Sequence, residues 1–172
     1  MTIPSYSAAP TEASMRVLFV CLGNICRSPA AETVLRERLE REGLAEAVTV
    51  DSAGTIDYHL GSEPDPRMRK ALRARGYTQW SRCRLVQPQD FFDFDLILAM
   101  DQQNLLDLRR LCPRPELLDK LKLAASYCTR HNVTIIPDPY YGQAADFEHV
   151  LDLAEDLSQN LIQAFKTQTP LT

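Results

Sequence analysis

Cys21 and Arg27 stand six positions apart in Val20-Cys21-Leu22-Gly23-Asn24-Ile25-Cys26-Arg27-Ser28-Pro29, where an apolar stretch meets the start of a helical pattern. The two fixed residues of Cys-x5-Arg carry little information alone; their setting supplies the mechanism. A tight loop between a buried strand and a helix turns its backbone N–H groups and the helix N-terminus toward one point, which makes an anion cradle. A cysteine facing such a cradle and a guanidinium is held as thiolate, with a pKa of about 3.5–7.5. An arginine forks two phosphate oxygens at once. The pair therefore points to phosphoryl transfer through sulfur. Leu22, Gly23, Asn24, Ile25, Cys26 and Ser28 then form the phosphate-binding loop.

The neighbours of the pair fit that chemistry. Gly23 and Asn24 are residue types that tolerate φ > 0, which a loop with inward amides requires. A cation in the first helical turn, as Arg27 would be, opposes the helix dipole unless an anion offsets it. Ser28 is an N-cap candidate with Pro29 at the first helical position, and it is also placed to donate a hydrogen bond to the Cys21 sulfur. Attack by the thiolate on phosphorus gives a cysteinyl phosphate. An acid must then protonate the leaving oxygen and afterwards activate water. Asp138, in Pro137-Asp138-Pro139-Tyr140-Tyr141-Gly142, is the candidate, since prolines stiffen its backbone and aromatic neighbours favour the protonated carboxyl. The same residues also fit a simple Asp-Pro turn.

Positioning these groups takes an alternating α/β chain. Val17–Cys21, Ala47–Asp51, Leu96–Met100 and Val133–Ile136 read as strands, the first and third apolar throughout as buried parallel strands are. Helical patterns run from Ser28 to Gly43, from Pro66 to Arg75, after Asp101, and from Asp146 to Phe165. Glu116–Cys128 reads as a short helix and a loop. The alternation predicts one α/β domain with a Rossmann-like, four-stranded parallel sheet and helices on both faces, its ligand beyond the carboxyl ends of the strands, where Cys21 lies.

The chain has 172 residues, 45% hydrophobic and 24% charged, with a net charge of −4. That is one soluble-type domain, expected over residues 15–167, behind a small, polar tail at 1–14. Negative net charge argues against a general nucleic-acid binder, and no apolar run approaches a membrane span. Five cysteines without CxxC spacing argue against a disulfide framework or a zinc site and for a reducing cytoplasm.

The loop motif, Ser52-Ala53-Gly54-Thr55, Ala99-Met100-Asp101 with Asn104, and Asp138-Pro139-Tyr140-Tyr141 together resemble the low-molecular-weight protein tyrosine phosphatase family, from Met15 to about Phe165. The resemblance implies a metal-free, cofactor-free hydrolase acting on tyrosine-phosphorylated proteins, as a monomer or weak dimer. It makes Cys21 the nucleophile, Arg27 the phosphate clamp and Asp138 the acid, then base. It gives Asn24, Ser28 and Ser52 loop-bracing roles, sets Tyr140 beside the substrate ring, and puts Asp101 near the pocket. Tyr58 matches an aromatic rim position, or is a surface tyrosine. Cys26 matches a thiol that forms a reversible disulfide with the nucleophile, or is a small side chain packed under the loop. Ser81 departs from a common family histidine, which would alter the network bracing Asn24. A related branch reduces arsenate with two further cysteines after the third strand; Leu96–Leu111 contains none, which disfavours that alternative. A pocket that binds without turnover would lack one of the three central residues, and all three are present.

Overall fold

Alternating side chains of β1 (Met15–Cys21) enter two different cores: Val17, Phe19 and Cys21 join one apolar cluster, Leu18 and Val20 the other. A strand buried on both faces belongs inside a sheet. In this computed structural model, which describes residues 14–167, β1 pairs in parallel with β2 (Val48–Gly54) on one side and β3 (Leu96–Ala99) on the other. A short β4 (Leu121–Leu123) extends β3, giving the order β2-β1-β3-β4. The expected tail lies outside the described residues, apart from Ser14.

One face is covered by α1 (Arg27–Arg41), α2 (Pro66–Ala74) and α5 (Ala144–Thr167), through Val34, Leu35, Met68, Leu72, Leu151 and Leu157. The other carries α3 (Asp90–Asp93) and α4 (Gln102–Leu111), through Phe91, Leu105 and Leu108. Each such side chain contributes roughly 1.5–3 kcal/mol when fully buried. Asp65 caps α2 by accepting from the Arg67 N–H, and Asp101 caps α4 by accepting from the Asn104 N–H, both at 2.8 Å. No helix among the described residues is long and apolar enough to cross a membrane.

The structure differs from the expected elements at three places. Val133–Ile136 is not a strand. Both sides of β3 are already paired, with β1 and β4, so this β-branched segment has no edge of β3 left to join. It runs as an irregular segment, tied by the Ile136 N–H to the Met100 carbonyl at 2.8 Å. The fourth strand comes instead from Leu-Lys-Leu, between 3-10 turns at Pro115–Lys120 and Ala124–Tyr127. The second strand continues three residues past Asp51, carrying Ser52 and Gly54 toward the site. Finally, α1 starts at Arg27 with Cys26 as its N-cap residue, so Ser28 lies inside the first turn and is not the cap.

Candidate active site

Between β1 and α1 the chain turns with its carbonyls outward. The carbonyls of Cys21 and Leu22 both accept from the Thr55 N–H at 3.0 Å, and that of Ile25 accepts from the Asp65 N–H at 2.8 Å. The Cys83 thiol lies 2.8 Å from the Asn24 carbonyl and donates to it. Among the described residues, none of the N–H groups of Leu22 through Cys26 donates to a protein acceptor. With the carbonyls of Cys21, Leu22, Asn24 and Ile25 engaged by Thr55, Cys83 and Asp65, these amides make the inward-facing cradle. Asn24 provides the turn, at φ 56°. Gly23, by contrast, is not left-handed; its value is room, because a Cβ there would sit 3.1 Å from the His59 ring. Gly54 is needed for a close approach, since a Cβ there would lie 2.8 Å from the Leu22 carbonyl oxygen.

Beneath the loop runs a hydrogen-bond chain whose direction is fixed at one end. The Arg84 N–H donates to Asn24 Oδ1 at 2.9 Å, so the amide nitrogen must face the other way. Asn24 Nδ2 donates to the Ser28 hydroxyl oxygen at 2.8 Å and to that of Ser52 at 2.9 Å. Ser52 in turn donates to Glu32 at 2.9 Å. The Ser28 hydroxyl, which accepts from Asn24, also lies 2.9 Å from Cys21 Sγ, to which it donates when the sulfur is a thiolate. Glu32, fully buried, also accepts from the Ser81 N–H at 3.1 Å and pairs with Arg36 at 3.0 Å. Burial pushes its carboxyl above the usual range, and Arg36 pulls against that shift. Position 81 thus supplies the network with its backbone N–H. Sequence reasoning missed Glu32, although it lies four residues after Ser28 and hence on the same helix face.

Arg27 is nearly inaccessible, and its two edges have different partners. Nη1 donates to Asp101 Oδ2 at 2.7 Å and to the Ile136 carbonyl at 3.0 Å, which uses both of its hydrogens. The Nε–Nη2 edge has no hydrogen-bond acceptor among the described residues, and Nη2 lies 3.8 Å from Asp138 Oδ2. That edge is the one suited to forking two oxygens of an oxyanion. Asp101 serves from behind the clamp and does not line the pocket; neither does Ser52, which lies under the loop. Asp138 accepts from the Tyr140 N–H at 3.1 Å through Oδ1, which leaves Oδ2 directed at Arg27.

The family model for low molecular weight phosphotyrosine protein phosphatase matches residues 16–171. The chain belongs to that family. A low molecular weight protein-tyrosine-phosphatase of Streptomyces coelicolor is 42% identical over 155 residues, covering 89% of this chain and 94% of its own. The human low molecular weight phosphotyrosine protein phosphatase is 42% identical over 140 residues, covering 81% and 88%. The crystal structure of a protein tyrosine phosphatase from Entamoeba histolytica superposes with a TM-score of 0.87 at 44% identity, covering 91% of this chain and 99% of that one.

In this phosphatase, Cys21, Arg27, Asp138, Tyr58 and Tyr140 all border one cavity of about 300 Å³, with the loop residues Leu22, Gly23, Ile25 and Cys26. Ile56, His59 and Tyr141 line it as well; Tyr141 stood in the Asp138 motif without a pocket role, while Ile56 and His59 escaped the sequence analysis because nothing in their local pattern sets them apart from surface residues. Tyr140 meets Tyr141 edge-on at 4.9 Å, and the Arg67 guanidinium stacks 5.4 Å from the Tyr140 ring centre. All five cysteines are free thiols. Burial, with Asp65 and Cys21 nearby, pushes the Cys26 thiol well up, and burial raises that of Cys83 to about 11.

Proposed function

We propose that this phosphatase hydrolyses phosphotyrosine in proteins through a phosphorylated Cys21. The supporting observation is the convergence on one point of the Cys21 sulfur, the unpaired loop amides and the Nε–Nη2 edge of Arg27, which has no hydrogen-bond acceptor among the described residues. Cys21 attacks as thiolate, in line with the phenolic leaving group; an S–P bond forms while the P–O bond to tyrosine breaks. The amides and the guanidinium edge hold the non-bridging oxygens, where negative charge resides throughout. Asp138 gives its proton to the departing phenolic oxygen. In the second step the same carboxylate takes a proton from water, the water oxygen bonds to phosphorus, and the S–P bond breaks. The Ser28 hydroxyl hydrogen stabilises the sulfur as it leaves with its electron pair.

An aryl phosphate fits the lining better than a short alkyl phosphate, because Ile56, Tyr58 and Tyr140 offer apolar and aromatic contact above the loop. Arsenate reduction finds no support in the remaining thiols. Cys83 is engaged with the Asn24 carbonyl, Cys112 donates to the Arg114 carbonyl, and neither lines the cavity. The free thiols are consistent with a reducing, cytoplasmic setting. The test is to quench turnover of a phosphotyrosine peptide in acid and map the phosphoryl group. A label on Cys21 is expected, with phosphotyrosine favoured over phosphoserine and phosphoarginine peptides. Label on another residue, or faster turnover of phosphoserine, would overturn the assignment.

A further inference from the structure

Next to the catalytic cavity lies a groove of about 510 Å³, and the two share Ile25, His59 and Tyr140 as common walls. The groove continues along the segment before α2, past Ser62 and Glu63, and has two cations on its lining, Arg69 and Arg82. Arg69 is engaged: it pairs with Glu63 at 3.1 Å and donates to the Pro64 carbonyl at 2.9 Å. Asp65 is likewise engaged by Arg67 at 2.8 Å. Arg82 is exposed and donates to the Gly61 carbonyl at 3.1 Å. No carboxylate among the described residues lies within ion-pair distance of it. The four charges on the lining balance, but Glu63 is taken up by Arg69 and Asp65 by Arg67 from outside the lining, which leaves Arg82 as the charge without an ion-pair partner, on a chain whose total is −4.

We propose that this groove receives the residues flanking phosphotyrosine and that Arg82 selects a carboxylate-bearing side chain among them. The inference rests on the phosphotyrosine reading of the cavity and narrows it to acidic sequences. An extended peptide advances about 3.3–3.6 Å per residue, so the side chains that pass the His59 and Tyr140 walls are those within a few positions of the phosphotyrosine. Arg82 is held by a single neutral acceptor, which leaves most of its guanidinium donors to a ligand.

The test uses alanine-based phosphotyrosine peptides with a single Asp, or the isosteric Asn, at each of three positions on either side. The readout is the Asp-to-Asn ratio of kcat/KM, in which changes in folding or chemistry cancel within each variant. In the wild type, on one side of the phosphotyrosine, this ratio is expected to reach about three- to fivefold at low ionic strength, the range of a partly exposed ion pair. Added salt should shrink it. Arg82→Ala should bring the ratio toward one, and Arg82→Glu should invert it. A ratio of one at every position in the wild type, or a preference that survives Arg82→Glu, overturns the inference while leaving phosphotyrosine hydrolysis intact. Failure to hydrolyse any of the phosphotyrosine peptides overturns both.

Discussion

Asn24, buried beneath the loop that lines the cavity, and Tyr58, which borders the cavity itself, are treated in opposite ways. Asn24 is 2% exposed, and its side-chain oxygen and nitrogen are both bonded, to Arg84 on one side and to Ser28 and Ser52 on the other. Tyr58 is 82% exposed and meets its neighbour His59 edge-on at 4.8 Å. The loop is thus assembled before any phosphate arrives, and its left-handed residue persists because the surroundings over-determine it. The rim keeps its rotamer freedom and is ordered only by what it touches. Transition-state interactions belong in the first environment; interactions shared by bound substrate and transition state belong in the second.

Substitutions at the two places should therefore move different kinetic constants. Cys21→Ser removes the proposed nucleophile and is expected to lower p-nitrophenyl phosphate turnover by more than about a thousandfold while phosphate still binds, as calorimetry would register. Asp138→Ala should slow phenyl phosphate by about 10²–10³-fold and p-nitrophenyl phosphate far less, because the nitrophenolate needs no proton to leave. Equal slowing of both would remove Asp138 from the acid role. Glu32→Ala strands the Ser52 hydroxyl hydrogen and the Ser81 N–H and takes the carboxylate partner from Arg36, which keeps the Gln79 and Val50 carbonyls; a loss of about 2–4 kcal/mol in urea unfolding is expected, with kcat falling more than KM changes. A change confined to KM would show that the loop does not depend on its buried base.

Two smaller effects sharpen the contrast. Since burial keeps Cys26 protonated at neutral pH, peroxide should first oxidise Cys21, whose sulfenic acid then condenses with the Cys26 thiol to a disulfide and water. Reductant should restore at least about twofold more activity in the wild type than in Cys26→Ala; equal recovery would leave Cys26 a packing residue. Tyr58→Ala should raise KM for a phosphotyrosine peptide by roughly three- to tenfold with kcat unchanged. A fall in kcat of the same size would erase the distinction between loop and rim.

The loop was legible because its own residues follow one another in sequence, although their partners Ser52, Arg84 and Asp101 do not. Cys21, Arg27 and the Asp138 motif each announce themselves within about ten residues, and the cavity brings all three together. What depends on distant partners was not legible. Val133–Ile136 has the composition of a strand, but β propensity does not reveal that both sides of β3 are already paired. Leu121–Leu123 became a strand with too few residues to show a period. Ser28 before Pro29 looks like a cap; its hydroxyl is instead drawn between Asn24 and the sulfur. A glutamate on a helix reads as a solvated charge, and only the arrival of Ser52 and Ser81 from elsewhere in the chain explains why Glu32 can be buried.

Arg27 grips the carbonyl of Ile136, and Asp138 follows only two residues later, between Pro137 and Pro139. Two residues of chain reach at most about 7 Å, so the Asp138 carboxylate is leashed to the Arg27 guanidinium. Carboxylate and guanidinium are thereby held as one unit. Loosening that leash, for example by replacing the prolines with glycine, would let the acid wander while the sulfur stayed in place.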